Sequence, residues 1–149
     1  MFAVISLFVQ IIFKLYSTKM SIFSPQSRFL PNVACFIGSI PLCIGISGLL
    51  RPTPLRAMVD FPAPTSPESQ RLADAMTRLY AWRNVAIGLL CSAIWYRGDR
   101  KLLGVAMIIT SSSAVVDALV SQDLIGGGVW NHLPIVPIVA GVGIGLLRD

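Results

Sequence analysis

The sequence VACFIGSIPLCIGISGLL, residues 33–50, contains no charged side chain over 18 positions. About 20 apolar residues in a helix cross a hydrocarbon core about 30 Å thick, so this run predicts a transmembrane span. A helix satisfies its own backbone hydrogen bonds in lipid, whereas an open sheet does not. The chain also has too few alternating segments for a membrane barrel, and helix is therefore the expected structure.

Three further apolar runs of similar length follow. They cover residues 79–96, 102–122 and 130–147. The polar residues that interrupt them lie close to one end of each run: Arg83 and Asn84 in the first, Asp117 in the second, and Asn131 and His132 in the third. The predicted fold class is therefore all-α, an integral membrane bundle of about four transmembrane helices within residues 20–149. A shorter apolar run lies within residues 1–19 and predicts either a fifth helix or an extension that a chain starting at Met20 does without.

The composition agrees with a surface that faces lipid. Apolar residues make up 54% of the 149 positions and charged residues 13%, too few to cover a soluble globule. The net charge of +5 comes from single Lys and Arg residues between apolar runs, which is not the pattern of a nucleic-acid binder. The three cysteines form no C-x-x-C pair and the chain has one histidine, so neither a metal nor another cofactor is expected.

The distribution of lysine and arginine predicts the orientation of the four spans. The side that holds the C-terminus carries Lys14, Lys19, Arg28, Arg97, Arg100, Lys101 and Arg148. The opposite side carries fewer basic residues, and acidic neighbours partly offset them. Because positive residues concentrate in cytoplasmic loops, the C-terminus is predicted to lie in the cytoplasm.

Prolines dominate the connection between the first two spans. Five of them lie in residues 52–67 and predict an extended chain over its first half. Ser66 then suits an N-cap, Pro67 the first helical position and Glu68 the positive end of the helix dipole. From there we expect a short interfacial helix that runs directly into the second span. Its charged residues, expected to face water or headgroups, are Arg71, Asp74 and Arg78.

Polar side chains fall at one depth in three of the spans. Arg83 and Asn84 lie about one turn inside the second span, and Asp117 lies at a matching distance from the end of the antiparallel third. At ~1.5 Å of rise per residue, Arg83 and Asp117 are each roughly 5 to 6 Å below the same membrane face. His132 begins the fourth span at that face. These four side chains are expected to converge, and the serines at 111–113 are expected to line the floor of their cavity.

An ionisable group at this depth costs on the order of a few kcal/mol unless it is paired or hydrated, which makes it a candidate for function. As catalytic residues, Asp117 or His132 would act as general acid or base. Arg83 and Asn84 would orient an oxygen atom or stabilise developing negative charge. The alternative is an Arg83–Asp117 ion pair that only holds two helices together, with His132 in a structural role. Both interpretations remain open at this point.

Four stretches of sequence resemble an uncharacterised family of small four-helix integral membrane proteins with a DoxX-like layout. They are Gly-Leu-Leu-Arg-Pro at 48–52, Phe61-Pro62, Arg83-Asn84-Val-Ala-Ile-Gly88, and Val116-Asp117-Ala-Leu. The family has fungal and bacterial members, and some fungal members lie in secondary-metabolite clusters. The resemblance implies the fold and the polar cluster but no reaction. The apolar N-terminal extension departs from the family pattern.

Two functions follow as hypotheses. In the first, the protein is a membrane-bound enzyme of secondary-metabolite biosynthesis that cyclises, isomerises or dehydrates a lipophilic intermediate by acid/base chemistry. In the second, it is a non-catalytic scaffold or accessory subunit that binds a membrane protein partner or a second copy of itself. Contact with membrane lipid is expected in both cases. The fungal context and the short spans predict the endoplasmic reticulum as its location.

Overall fold

A computed structural model describes residues 27–148, and these residues form helices and no strands. The helices are α1 (Phe29–Leu50), α2 (Pro52–Met58), α3 (Pro67–Arg97), α4 (Arg100–Ile125), α5 (Val129–His132) and α6 (Ile135–Leu147). The predicted all-α fold is confirmed. The predicted extension at residues 1–19 lies outside the described residues.

Within residues 27–148, three segments are long and apolar enough to cross a membrane: α1, α4, and Val129–Leu147, which comprises α5 and α6. The predicted span 79–96 is helical throughout and forms the second half of α3. However, α3 is not one of the three segments that are apolar enough to cross a membrane. We attribute this to Arg83, Asn84 and the polar first half of that helix. Large apolar side chains on all four long segments point outward, as a lipid-facing surface requires; they include Phe36, Leu89, Ile109 and Ile144.

Small residues bring α1 and α3 into close antiparallel contact. Gly38 lies against Cys91 of α3, and Gly88 of α3 lies against Leu42 and the backbone of Gly38. A methyl group added at Gly45 would stand 2.5 Å from the carbonyl oxygen of Ala81, inside the contact distance of any real side chain. Helix backbones in membranes approach this closely only where side chains are small. This contact fixes the depth at which α3 presents its polar residues.

We expect Gly45→Ala to lower the stability of the bundle by about 1–3 kcal/mol, the usual cost of overpacking a core. The added methyl group would meet the backbone of Ala81 and Val85, which cannot move aside as a flexible side chain can. Thermal unfolding in detergent measures the effect. Gly141→Ala is the matched control, because Gly141 is also helical and has nothing within 4 Å of the new methyl group. Equal melting temperatures for the two variants would contradict this packing.

A second pair of glycines joins α4 to α6. The backbones of Gly104 and Gly143 touch, so that a methyl group on either would lie within 2.8 Å of the carbonyl oxygen of the other. The G-x-x-x-G spacing of Gly141 and Gly145 predicts a different contact, but Gly141 faces open space. Gly143, the glycine between them, makes the close approach instead.

The predicted extended chain after the first span is wrong for residues 52–58, which form α2. Pro52 and Pro54 fall in its first turn, where backbone N–H groups have no partner within the helix and a proline ring does no harm. The predicted start of α3 is confirmed: the Ser66 hydroxyl accepts a hydrogen bond from the backbone N–H of Ser69, whose own hydroxyl accepts one from the backbone N–H of Ser66. α2 lies across the ends of α1 and α3.

Candidate functional site

Arg83 of α3 and Asp117 of α4 form an ion pair. Nη2 of Arg83 donates to both carboxylate oxygens of Asp117, at 2.9 and 2.7 Å. The guanidinium group also lies over the ring of Tyr80, with its central carbon 4.7 Å from the ring centroid, a favourable cation–π distance. The Asp117 side chain is 16% exposed and that of Arg83 37%. The pair deduced from matching depth is therefore present, at a partly buried position.

A pocket of about 200 Å³ lies beside this pair. Most of the surface of its wall is apolar, although half of the twelve wall residues are polar. The wall includes two of the four predicted site residues, Asp117 and His132. The other polar residues in its wall are Arg56, Thr77, Tyr80 and Ser121, and the apolar ones are Leu55, Val59, Phe61, Ala73, Met76 and Val120. Side chains from α2, α3, α4 and α5 thus meet at one end of the bundle.

The remaining predicted residues contact the pocket indirectly. Arg83 is absent from the pocket wall but contacts two residues of it, Asp117 through the ion pair and Tyr80 through the ring. Asn84 donates from Nδ2 to the carbonyl oxygen of Tyr80, one turn earlier in its own helix. The structure therefore places both residues behind the wall, where they can position Asp117 and Tyr80.

The serines at 111–113 do not line the pocket, contrary to expectation. Each hydroxyl donates to the backbone carbonyl oxygen three residues earlier, on Ile108, Ile109 and Thr110 respectively. Serine in a membrane helix commonly satisfies its hydroxyl in this way. Ser111 is buried and Ser112 is exposed, so these side chains point in different directions around α4.

Sequence reasoning missed a second ion pair at the pocket. Nη1 of Arg56, on α2, donates to Oδ1 of Asp74, on α3, at 2.9 Å. The Nε2 group of Gln70 donates to the same carboxylate oxygen at 2.8 Å. The hydrogen bond from Gln70 and, to a smaller extent, the one from Arg56 lower the pKa of Asp74 below its ordinary value. Arg56 is consequently held beside an ionised carboxylate at neutral pH.

Two further wall residues, Ser121 and Tyr80, could have been found from helical spacing. Ser121 follows Asp117 by four residues and Tyr80 precedes Arg83 by three, so each shares a helix face with a member of the ion pair. Arg56 and Asp74 carried no such signal, because their meeting depends on α2 being a helix.

The turn after α2 is tied to α5 across the top of the pocket. Asn131 donates from Nδ2 to Oδ2 of Asp60 at 2.9 Å. Asp60 adopts a left-handed backbone conformation, with φ of 60°, which Asp tolerates better than most residues. The hydrogen bond holds the turn that contains Val59 and Phe61 next to His132.

The site offers proton donors and acceptors but no recognisable metal cage. Within residues 27–148, no group of three His, Cys, Asp or Glu side chains is close enough to hold an ion. Asp117 supplies a carboxylate and His132 an imidazole, while Tyr80, Thr77 and Ser121 supply hydroxyl groups. In an apolar wall, these groups are suited to binding a small oxygen-containing molecule and moving its protons.

Comparison with known proteins identifies a family for this chain. No curated protein and no solved structure matches the chain. A family model does match over residues 38–146, which include every wall residue of the pocket. This confirms the resemblance to an uncharacterised family. The chain belongs to the family described as "Domain of unknown function (DUF4267)".

Proposed function

We propose that the protein is a membrane-bound enzyme that converts a lipophilic intermediate by acid/base chemistry. The observation that supports this most is that Asp117 and His132, from different helices, line one mostly apolar pocket. Acid and base groups around one mostly apolar pocket are typical of sites that move protons on a bound molecule. Secondary-metabolite biosynthesis is the proposed context and rests on the family resemblance.

In the proposed chemistry, one of the two side chains removes a proton from the bound molecule while the other supplies one. In an isomerisation or cyclisation the protons lost and gained balance, so the product has the mass of the substrate. In a dehydration the departing hydroxyl group receives a proton and leaves as water. No oxidant or reductant is consumed in any of these reactions. Arg83 keeps Asp117 in place through its two hydrogen bonds.

Deletion of the gene followed by metabolite profiling tests this proposal. We expect a lipophilic intermediate to accumulate and a product of equal mass, or lighter by one water molecule, to disappear. An unchanged profile under conditions in which the gene is expressed would argue against an enzyme of this kind.

A non-catalytic scaffold is the second candidate, and the ion pair itself favours it. Arg83 and Asp117 bridge α3 and α4, two helices that otherwise contact each other much less than α1 and α3 do. A bridge between loosely packed helices is what a structural role requires. The partner in this case would be another membrane protein or a second copy of the chain.

We further propose that the C-terminus lies in the cytoplasm and the pocket at the opposite face, in the endoplasmic reticulum membrane. A protease site placed after Asp149 is expected to be cut from the cytosolic side of sealed vesicles, because basic residues concentrate at that end. A site inserted in the loop at residues 61–65 should be protected until the vesicles are opened. The reverse pattern would overturn the proposed orientation.

A further inference from the structure

Arg56 is the most deeply buried cation at the pocket. Its side chain is 9% exposed, although it belongs to the short helix α2 and not to a membrane span. It uses Nη1 to bind Asp74 and makes no other hydrogen bond in the part of the chain that the structure describes. Its remaining nitrogens each keep some exposed surface, because none of them is both fully buried and unbonded. Since Arg56 lines the pocket, N–H donors remain available to a bound molecule.

Both Arg56 and Asp117, which line the pocket, already have a partner of opposite charge. Arg56 is paired with Asp74, and Asp117 is paired with Arg83. An anionic ligand would leave one negative charge without a partner in a mostly apolar wall, which is costly. A neutral ligand keeps both pairs intact and still receives hydrogen bonds from Arg56. The charge balance therefore selects against a carboxylate, sulfonate or phosphate in the pocket.

The size and position of the pocket restrict the ligand further. A volume of about 200 Å³ lies below the range of about 300–1,000 Å³ of pockets that enclose a drug-sized molecule, so the pocket is too small for a whole lipid. Two apolar wall residues, Met76 of α3 and Val120 of α4, are exposed by 55% and 44%. The pocket is therefore not closed at these two side chains, and a ligand held at its polar end can leave an apolar tail beside them.

From these observations we propose that Arg56 binds a neutral carbonyl or hydroxyl oxygen of a lipophilic ligand, whose tail passes between Met76 and Val120. This rests on the proposed function and names its substrate class: a neutral, oxygen-containing amphiphile. Arg56 is then the group that receives negative charge developing on that oxygen as Asp117 or His132 moves a proton.

Competition for a photoreactive ligand tests the proposal without requiring turnover. The full chain in lipid nanodiscs is labelled with a decyl methyl ketone that carries a diazirine in its tail, and unlabelled 2-dodecanone or decane sulfonate, which has the same decyl chain, competes. We expect labelling near Met76 or Val120 and at least about tenfold better competition by the ketone, because the sulfonate adds an unpaired charge. Arg56→Met should weaken competition by the ketone about tenfold.

Asp74→Asn is the decisive variant, because the amide oxygen can still accept the hydrogen bond from Arg56 while the negative charge is gone. The pocket then has an uncompensated cation, and the preference should shift toward the sulfonate by at least about tenfold. Asp123→Asn, at an exposed position on α4 outside the pocket wall, is the control and should leave the preference unchanged.

Equal competition by ketone and sulfonate in the wild-type protein would overturn the proposal, and so would an unchanged preference in Asp74→Asn. If Arg56→Met does not fold, Asp74→Asn still decides the question. Selective ketone binding by a protein that converts no intermediate would contradict the proposed enzyme and support this ligand class. Conversion of an intermediate by a protein that does not bind the ketone selectively would support the enzyme and contradict this ligand class.

Discussion

Asp117→Asn is expected to lower conversion of the accumulated intermediate by about 10²- to 10⁴-fold, the usual contribution of a general acid or base. The amide has the shape of the carboxylate, and its oxygen can still accept a hydrogen bond from Nη2 of Arg83. It cannot take up or release a proton in the way a carboxylate does. The protein should therefore fold and insert, with a smaller loss of stability than a variant that removes both oxygen acceptors, while losing the reaction. Metabolite output of cells that carry the variant measures the loss.

Asp123→Asn is the matched control for this variant. It removes the same charge from the same helix, at an exposed position outside the pocket wall. Output should stay at the wild-type level. A folded Asp117→Asn protein with normal output would show that Asp117 is not the catalytic acid or base.

The stability of the ion pair separates a structural role from a catalytic one. Asp117→Leu alone leaves Arg83 without its carboxylate partner, and breaking a buried pair costs about 3–5 kcal/mol. The 37% exposure of Arg83 allows some hydration, so the loss should fall below that range. The double variant Arg83→Met with Asp117→Leu removes both charges and should regain most of the stability. Thermal unfolding in detergent gives both values.

Metabolite output of the same double variant distinguishes the two functions. If the pair only joins α3 to α4, output returns together with stability. If Asp117 moves protons, the stable double variant stays inactive. A double variant with normal metabolite output would rule out the enzyme mechanism built on Asp117. A double variant less stable than Asp117→Leu would show that the unpaired charge of Arg83 is not the cause of the lost stability.

The bundle was predictable because lipid imposes strict rules on a span. The run at residues 33–50 required a helix, and Ser66 with Pro67 marked the start of α3, as the capping hydrogen bonds confirm. The Arg83–Asp117 pair followed from counting helical rise on two antiparallel helices of similar depth. Such counting fixes height along the bundle axis, and the ion pair shows that both residues also face each other.

For the rest of the site, the sequence did not show in which direction around its helix each side chain points. The serines at 111–113 have a suitable depth, yet their hydroxyls bond to their own helix and none reaches the pocket. Arg56 was not predicted to belong to the site, because the proline-rich segment that contains it predicted an extended chain. Pro52 and Pro54 instead occupy the first turn of α2, which turns Arg56 toward Asp74. Proline disrupts the interior of a helix but is tolerated in its first turn, and the local sequence did not show which of these positions Pro52 and Pro54 occupy.

Conversion of the accumulated intermediate by the purified protein is the most direct test of a catalytic pocket at Asp117 and His132. Wild-type protein in lipid vesicles is added to a lipid extract from cells that lack the gene, and mass spectrometry follows the extract over time. We predict that one neutral lipophilic species is consumed and that a product of equal mass, or lighter by one water molecule, replaces it. An extract that stays unchanged in the presence of folded, inserted protein would contradict the catalytic function.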